Sequence, residues 1–454
     1  MVTNLQTTGR RVILYALVFL ATVSCSDHDV WVQAGKIVEG IHQPQFRHTD
    51  YSVREFGATE ADILPALRSA IRRCSDEGGG RVVIPAGTWF CKGPVHLLSN
   101  VNLHFEDGAE LVFSTDERDY LPCVLTRWEG TEVFNYSPMI YAYNLHNIAI
   151  TGNGIINGQG AQNFQNWKAI QKKDQNELRR MGREGVPVHE RVFGPGHYLR
   201  PAMVELMACS SVLVEGVTIE DGTFWSFHLI GCDNVTVHSI SVDCTNLNSD
   251  GVDPESSTNV LIEDCYFHTG DDGIAIKSGR DQDGWRLGQP TENIVIRNCT
   301  FNTSANGICI GSEISGGVRN VFVEDCNIIH AKQGLYFKSN RDRGGYIENV
   351  YVRNISVGRV DANLIQFEPN YKNEGSQYYP TPMKHFVLER IQADTASLCG
   401  IQLESFESMP VEDVTIRHLQ LEHTPEPVKI SHYKDLVLED VRINGQGVHL
   451  PISD

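Results

Sequence analysis

Three carboxylates carry the chemistry most plainly: Asp250 in Asn248-Ser249-Asp250-Gly251, and Asp271 and Asp272 in Gly270-Asp271-Asp272-Gly273. Asp250 and Asp272 each stand before a Gly that opens an apolar strand. The same frame recurs in Asn306-Gly307-Ile308-Cys309-Ile310 and Gln333-Gly334-Leu335-Tyr336-Phe337-Lys338. Aligning the glycines sets Asp250, Asp272, Asn306 and Gln333 in one column, and Lys277 and Lys338 in another. Asp250 and Asp272 then become neighbours on adjacent coils, with Asp271 beside them. Three carboxylates that close cannot all ionise cheaply, so at least one pKa rises. A protonated acid beside an ionised base is what glycosidic cleavage requires. The same residues also suit a solvated acidic turn or a calcium site. The flanking lysines favour a site for an anionic substrate.

The elements that must position these groups are legible as a repeat. Asn234-Val235-Thr236-Val237, Asn259-Val260-Leu261-Ile262, Asn293-Ile294-Val295-Ile296, Asn320-Val321-Phe322-Val323 and Asn349-Val350-Tyr351-Val352 each open a unit. Weaker copies start near Asn147, Ser211, His385, Asp413 and Asp435. Apolar and polar residues alternate within each unit, the period of a strand. Short strands at 22–36-residue spacing, separated by Asn, Gly or Asp turns, predict a parallel β-helix, an all-β fold with one coil per unit. Cys265, Cys299 and Cys326 share one register and read as a ladder of small buried residues rather than disulfides or ligands. An amphipathic helix over 60–76, with Leu64, Leu67, Ile71 and Cys74 on one face, caps the N-terminal end. Gly78-Gly79-Gly80 stops it. An insert at 160–197 interrupts the coils. Trp167, Leu178 and Met181 give it a helical pattern, and it forms either a wall over a cleft or a solvated excursion.

Of 454 residues, 38 are Lys or Arg and 57 are Asp or Glu, a net charge of −19. Such an acidic surface argues against nucleic acid as the main partner. Arg10 and Arg11 precede an apolar run over 12–23 that is too short to span a bilayer and reads as a secretory signal over 1–24. Leu20-Ala21-Thr22-Val23-Ser24-Cys25 resembles a bacterial lipobox, with Cys25 lipidated and 25–48 serving as a tether to a catalytic domain over 49–454. Ser26, Asp27 and Asp29 resemble a surface-export tag. The expected location is the outer membrane of a Gram-negative bacterium, at the cell surface or facing the periplasm, with membrane contact only through the lipid. Twelve Cys, eleven without Cys25, do not make a disulfide framework.

Taken in order, Asn248-Ser249-Asp250-Gly251, Gly270-Asp271-Asp272, Gly311-Ser312-Glu313 and Lys338 resemble glycoside hydrolase family 28, the polygalacturonase family. The likeness runs from Phe56-Gly57-Ala58 to about Asn349 and includes the stretch over 78–87 and Arg200-Pro201. The resemblance implies a right-handed, pectin-lyase-like β-helix. It also implies an inverting hydrolase of α-linked galacturonic acid bonds in pectin, with no metal or organic cofactor. It implies that Asp271 is the general acid, that Asp250 and Asp272 activate the attacking water, and that Lys338 binds a substrate carboxylate. Inverting pairs normally stand roughly 6.5–9.5 Å apart. Stacked neighbours stand about 4.8 Å apart, so the side chains must diverge or the rule does not transfer.

Two positions depart from the family. Ala305-Asn306-Gly307 stands where Gly-His-Gly is usual, and Tyr336-Phe337-Lys338 where Arg-Ile-Lys is usual. Loss of the Arg removes a bidentate carboxylate clamp. A subsite could then take a sugar without a carboxylate, such as rhamnose, with Tyr336 stacked on its apolar face. Trp225 and His228 sit one coil before Asp250, where the family often has Trp and His near its cleft. Arg280 can reach a uronate carboxylate, and Glu313 a sugar hydroxyl. With Lys277, Lys338, Arg341 and Arg343, Arg280 forms a basic group on an acidic protein, and this group must attract a polyanionic substrate. The alternatives are a rhamnogalacturonan hydrolase cutting galacturonate–rhamnose bonds, a calcium-dependent pectate lyase, and a non-catalytic carbohydrate-binding β-helix.

Overall fold

The computed structural model describes residues 27–372 and 378–450. The signal region and Cys25 lie outside them. The chain winds as a right-handed parallel β-helix. Among the described residues, one face is a sheet of eleven strands, and the other two faces merge into a sheet of twenty-one.

The recurring Asn residues explain the turns. Asn259, Asn293, Asn320 and Asn349 all take φ between 53° and 60°, a left-handed bend that Asn tolerates better than most residues. Their side-chain amides also form a ladder. Asn293, Asn320 and Asn349 each donate to the Asn one coil earlier, at 3.0, 3.1 and 3.1 Å. Each amide thus finds its partner on the next rung, so the repeat is both a turn signal and a register lock.

Inside, Phe267 and Phe301 stack with centroids 5.3 Å apart. The coil register aligns Thr300 with Tyr266 and with Asn327, which sets Cys265, Cys299 and Cys326 in one column. All three are buried and free.

The expected cap is helix α2, Leu64–Asp76, with Leu64, Leu67, Ile71 and Cys74 buried. At its end Gly79 has φ +97°, and a Cβ there would meet the Asn100 carbonyl at 2.5 Å, so only Gly fits. The segment expected as a tether is, from residue 27 on, helix α1, Asp27–Gly40. Its Ala34 is buried with Leu261, Val295, Phe322 and Tyr351 on the outer face of the coils. Trp31 meets Phe322 edge-on at 6.0 Å, and the Arg353 guanidinium covers the Trp31 ring at 3.8 Å. Alternation hides this helix from a sequence reading, because the outer face of a coil is read as solvent-facing.

Five strands of the eleven-stranded sheet carry the site: β1 (Phe227–Ile230), β2 (Val252–Glu255), β3 (Ile274–Ile276), β4 (Asn306–Ile310) and β5 (Gln333–Lys338). Val252, Ile274, Ile308 and Leu335 are register partners in turn. This is the column predicted from the glycines.

Candidate active site

The column works because its glycines lack a side chain. A Cβ on Gly251 would meet the Gly273 carbonyl at 2.3 Å and Phe267 at 2.4 Å. One on Gly273 would meet Phe301 at 2.4 Å and the Gly307 carbonyl at 2.7 Å. Successive coils close up at these points, and the preceding residues, Asp250 and Asp272, are delivered to one spot. Carboxylate oxygens of Asp250, Asp271 and Asp272 lie within 4.8 Å of one another. They sit in a cleft of about 360 Å³, a size suited to a small ligand.

The three acids have different environments. Asp272 is buried, and burial alone would raise its pKa. Lys338 and Lys277, followed by direct bonds from Lys338 and Asn306, hold it below the usual carboxylate range. Lys338 Nζ is 3.0 Å from Asp272 Oδ2. The Asn306 backbone N–H donates to Oδ1 at 3.1 Å, and the Asn306 side-chain amide donates to the same oxygen. Asp271 is only half-buried and faces the cleft. Burial and then the Asp272 charge push its pKa up. Its Oδ1 accepts the Asp272 N–H at 3.0 Å, and its Oδ2 accepts the Asn248 amide at 3.0 Å. Asn248 is itself oriented, because its carbonyl oxygen accepts from Lys168 at 2.7 Å and Arg200 at 2.6 Å.

Asp250 is pushed well up by burial, then by Asp253 and Asp271. Lys277 does not offset this, since it lies 3.8 Å from Asp250 but 3.3 Å from Asp253. Burial also carries Asp253 up, to about 7, against the pull of Lys277. Burial and like charge thus favour the neutral form of Asp250, while Lys338, Lys277 and Asn306 favour the charged form of Asp272. The expectation that Asp250 and Asp272 would share one role meets this difference, and Asp253, missed in the sequence, is part of its cause.

The other expected site residues divide. Trp225, Lys277, Arg280, Glu313 and Lys338 line the cleft. Lys277 Nζ stands 4.6 Å over the Trp225 ring. Arg280 is no lone surface cation: it is buried and bonded to Glu313 and to the Glu129 carbonyl. Burial would raise the Glu313 pKa, but Arg280 and Lys277 hold it well below the carboxylate range.

Asn306, Tyr336 and His228 are not among the residues lining the cleft. Asn306 is buried and spends its donors on Asp272. Tyr336 is 4% exposed, and its hydroxyl donates to Glu368. The expected stacking of Tyr336 on a sugar is thus not provided for. His228 is clamped between Glu255 at 2.8 Å and Glu205 at 3.5 Å. Burial would strip its second proton, but these bonds outweigh burial and lift its pKa to about 9. It is a buried imidazolium beneath Trp225, edge-on at 4.8 Å.

The insert is a fixed wall rather than an excursion. Phe164 and Trp167 pack with Tyr120, Tyr136 and Tyr198. Helix α3, Lys172–Arg183, buries Leu178 against Trp128, Phe224 and Trp225. Lys168, Gln171, Lys172, Gln175 and Arg179 line the cleft from this wall. Opposite chain segments add Glu129, from an antiparallel arm (124–135), and Tyr371 with Lys372. None of these follows from the repeat, and no sequence signal marks them.

The arrangement can donate a proton from Asp271 while Asp272 withdraws one from a water. Comparison with known proteins places the fold in a family. The model for glycosyl hydrolases family 28 matches residues 195–440. A "Probable polygalacturonase" of Vitis vinifera is 29% identical, over 89% of this chain and 81% of its own. The crystal structure of a hyperthermoactive exopolygalacturonase from Thermotoga maritima shares 35% identity and a TM-score of 0.86, over 91% of this chain and 97% of that one. The polygalacturonase of Erwinia carotovora ssp. carotovora, at 22% identity and a TM-score of 0.67 over 87% of this chain and 98% of its own, shares the fold. A family model that covers more than half of the chain, on a β-helix whose adjacent coils bring Asp250 to Asp271 and Asp272, makes this protein a glycoside hydrolase belonging to glycosyl hydrolases family 28.

Proposed function

We propose that the enzyme is an exo-acting polygalacturonase that releases galacturonate from α-linked pectic galacturonan with inversion. One observation carries this reading: a half-buried carboxyl of raised pKa, Asp271, beside a buried carboxylate, Asp272, that Lys338 keeps ionised. Asp271 protonates the glycosidic oxygen. Asp272 takes a proton from a water, and the resulting hydroxide attacks the anomeric carbon. Asp250, as a neutral carboxyl, helps hold that water. Both oxygens of Asp272 are occupied by Asn306 and Lys338, and the side chain is buried, so it reaches substrate through a water rather than as a nucleophile. That supports inversion despite the short carboxylate spacing. The insert wall supports the exo mode, as does the likeness to the Thermotoga exopolygalacturonase.

The rhamnogalacturonan alternative relies on Tyr336 as an apolar platform, and Tyr336 is buried and does not line the cleft. Product analysis on polygalacturonate tests the proposal. Monomer as the first product, saturated and still formed after chelation, fits it. Oligomers at the outset contradict the exo mode, and unsaturated products contradict hydrolysis.

The export reading is also proposed. Helix α1 begins two residues after Cys25 and is docked. A lipid on Cys25 would therefore hold the β-helix close to the bilayer. Labelled fatty acid incorporated by the wild type and lost in Cys25→Ala supports this, and equal labelling contradicts it.

A further inference from the structure

Five basic side chains of the cleft already face an acid: Arg179 with Glu129, Lys277 with Asp253, Arg280 with Glu313, Lys338 with Asp272, and Arg343 with Asp281. Among the described residues, Lys168, Lys172 and Lys372 line the same cleft without a carboxylate in ion-pair contact. Lys172 is turned onto the Gln175 side-chain oxygen at 3.0 Å. The other two converge from different parts of the chain. Lys168 belongs to a 3-10 segment of the insert, Phe164–Ala169, and contacts neutral Asn248. Lys372 follows the strand Asn363–Glu368, with its ammonium 4.8 Å from the centre of the Tyr371 ring. Both stand within electrostatic reach of Asp271, and Lys168 also within reach of Lys372.

A partly desolvated ammonium without a counter-ion is unfavourable. Burial, and then Arg200, already depress the basicity of Lys168. A ligand carboxylate between these lysines supplies Lys168 with a counter-ion and offsets the repulsion it feels from Lys372, which is itself exposed and, against partial desolvation, raised in basicity through Tyr371. An uncharged sugar does neither.

We propose that Lys168 and Lys372 together clamp the ring carboxylate of the uronate seated over Asp271, making the insert a reader of substrate charge. This rests on the galacturonan reading above. It assigns to two side chains outside the repeat the selection of an anionic ring at the bond being cut.

The test compares wild type, Lys168→Gln, Lys372→Gln, the double variant and Lys168→Arg on trigalacturonate and on its carboxyl-reduced counterpart. Gln at 168 keeps a donor for Asn248 while removing charge. The expected result is a KM for trigalacturonate raised about tenfold by each Gln variant, as for loss of a hydrogen bond to a charged group, and further in the double variant. Arg should restore KM, and each Gln variant should lose more on trigalacturonate than on its carboxyl-reduced counterpart. Unchanged KM with an active wild type overturns the clamp alone. A fall in kcat at constant KM, with a shifted pH profile, also overturns it, because Lys168 would then act only through Asn248 on Asp271. A wild type inactive on trigalacturonate overturns the galacturonan reading and the clamp with it.

Discussion

The Lys338 ammonium lies 3.0 Å from the Asp272 carboxylate, two coils away, and decides which acid of the triad stays charged. Without it, burial pushes the Asp272 pKa up, with Lys277 and Asn306 left to oppose it. Lys338→Met should therefore move the acidic limb of the kcat/KM profile upward by about one unit or more, the effect of removing an adjacent opposite charge. The sign follows from Asp272 being held low: the base is competent at pH values below the ordinary Asp range, and loses that in the variant. A pH–rate series measures it, and an unmoved limb refutes it.

Asp271 sits higher than an ordinary Asp because of burial and the Asp272 charge. As the general acid it must begin each cycle protonated, and the alkaline limb reports its loss as a property of the coupled pair. Asp271→Asn should lower kcat by about 10³-fold on galacturonan, within the range for general acid catalysis. An aryl galacturonide with a good leaving group needs little protonation and should lose far less. Equal losses on both substrates would remove the acid role.

Gly273 allows the coil of Asp272 to close on its neighbour. In Gly273→Ala the new methyl would meet Phe301 and the Gly307 carbonyl. Overpacking of this kind costs about 1–3 kcal/mol, measured by denaturant unfolding. Because the next residue back is Asp272, kcat should fall as well. Retention of both stability and kcat would contradict the close-approach argument.

His228 is a buried imidazolium between two glutamates, with a pKa of about 9. A raised folded pKa contributes stability that is fully present below about pH 6.5, the unfolded value. It is lost as pH rises through 9. The wild-type Tm should fall across that window, and His228→Gln should be less stable at pH 6 and show a flatter profile. Parallel Tm profiles for the two proteins would refute this.

The catalytic column was legible because glycine spacing encodes coil register. One alignment set Asp250, Asp272, Asn306 and Gln333 on successive rungs, where the structure has them. The Asn ladder and the cysteine column were legible for the same reason. The rest of the site is not periodic. Glu129 sits at the tip of an arm, Lys168 and Arg179 on the insert, and Lys372 on a loop, so nothing in the repeat announces that they converge. Tyr336 and His228 show the opposite limit. Their types suit a sugar site, but alternation in a fully buried sheet does not say which side chains reach the cleft. Asn306 lies between these cases: its position in the column was visible, and its duty, holding Asp272, needed the three-dimensional geometry.

The account stands or falls on Asp272 acting through water opposite a protonated Asp271. Proton NMR of the first turnover products from α-linked galacturonate oligomers reads this directly. The account predicts the β-anomer first, with the α-anomer appearing only by mutarotation. An α-anomer formed first would contradict it.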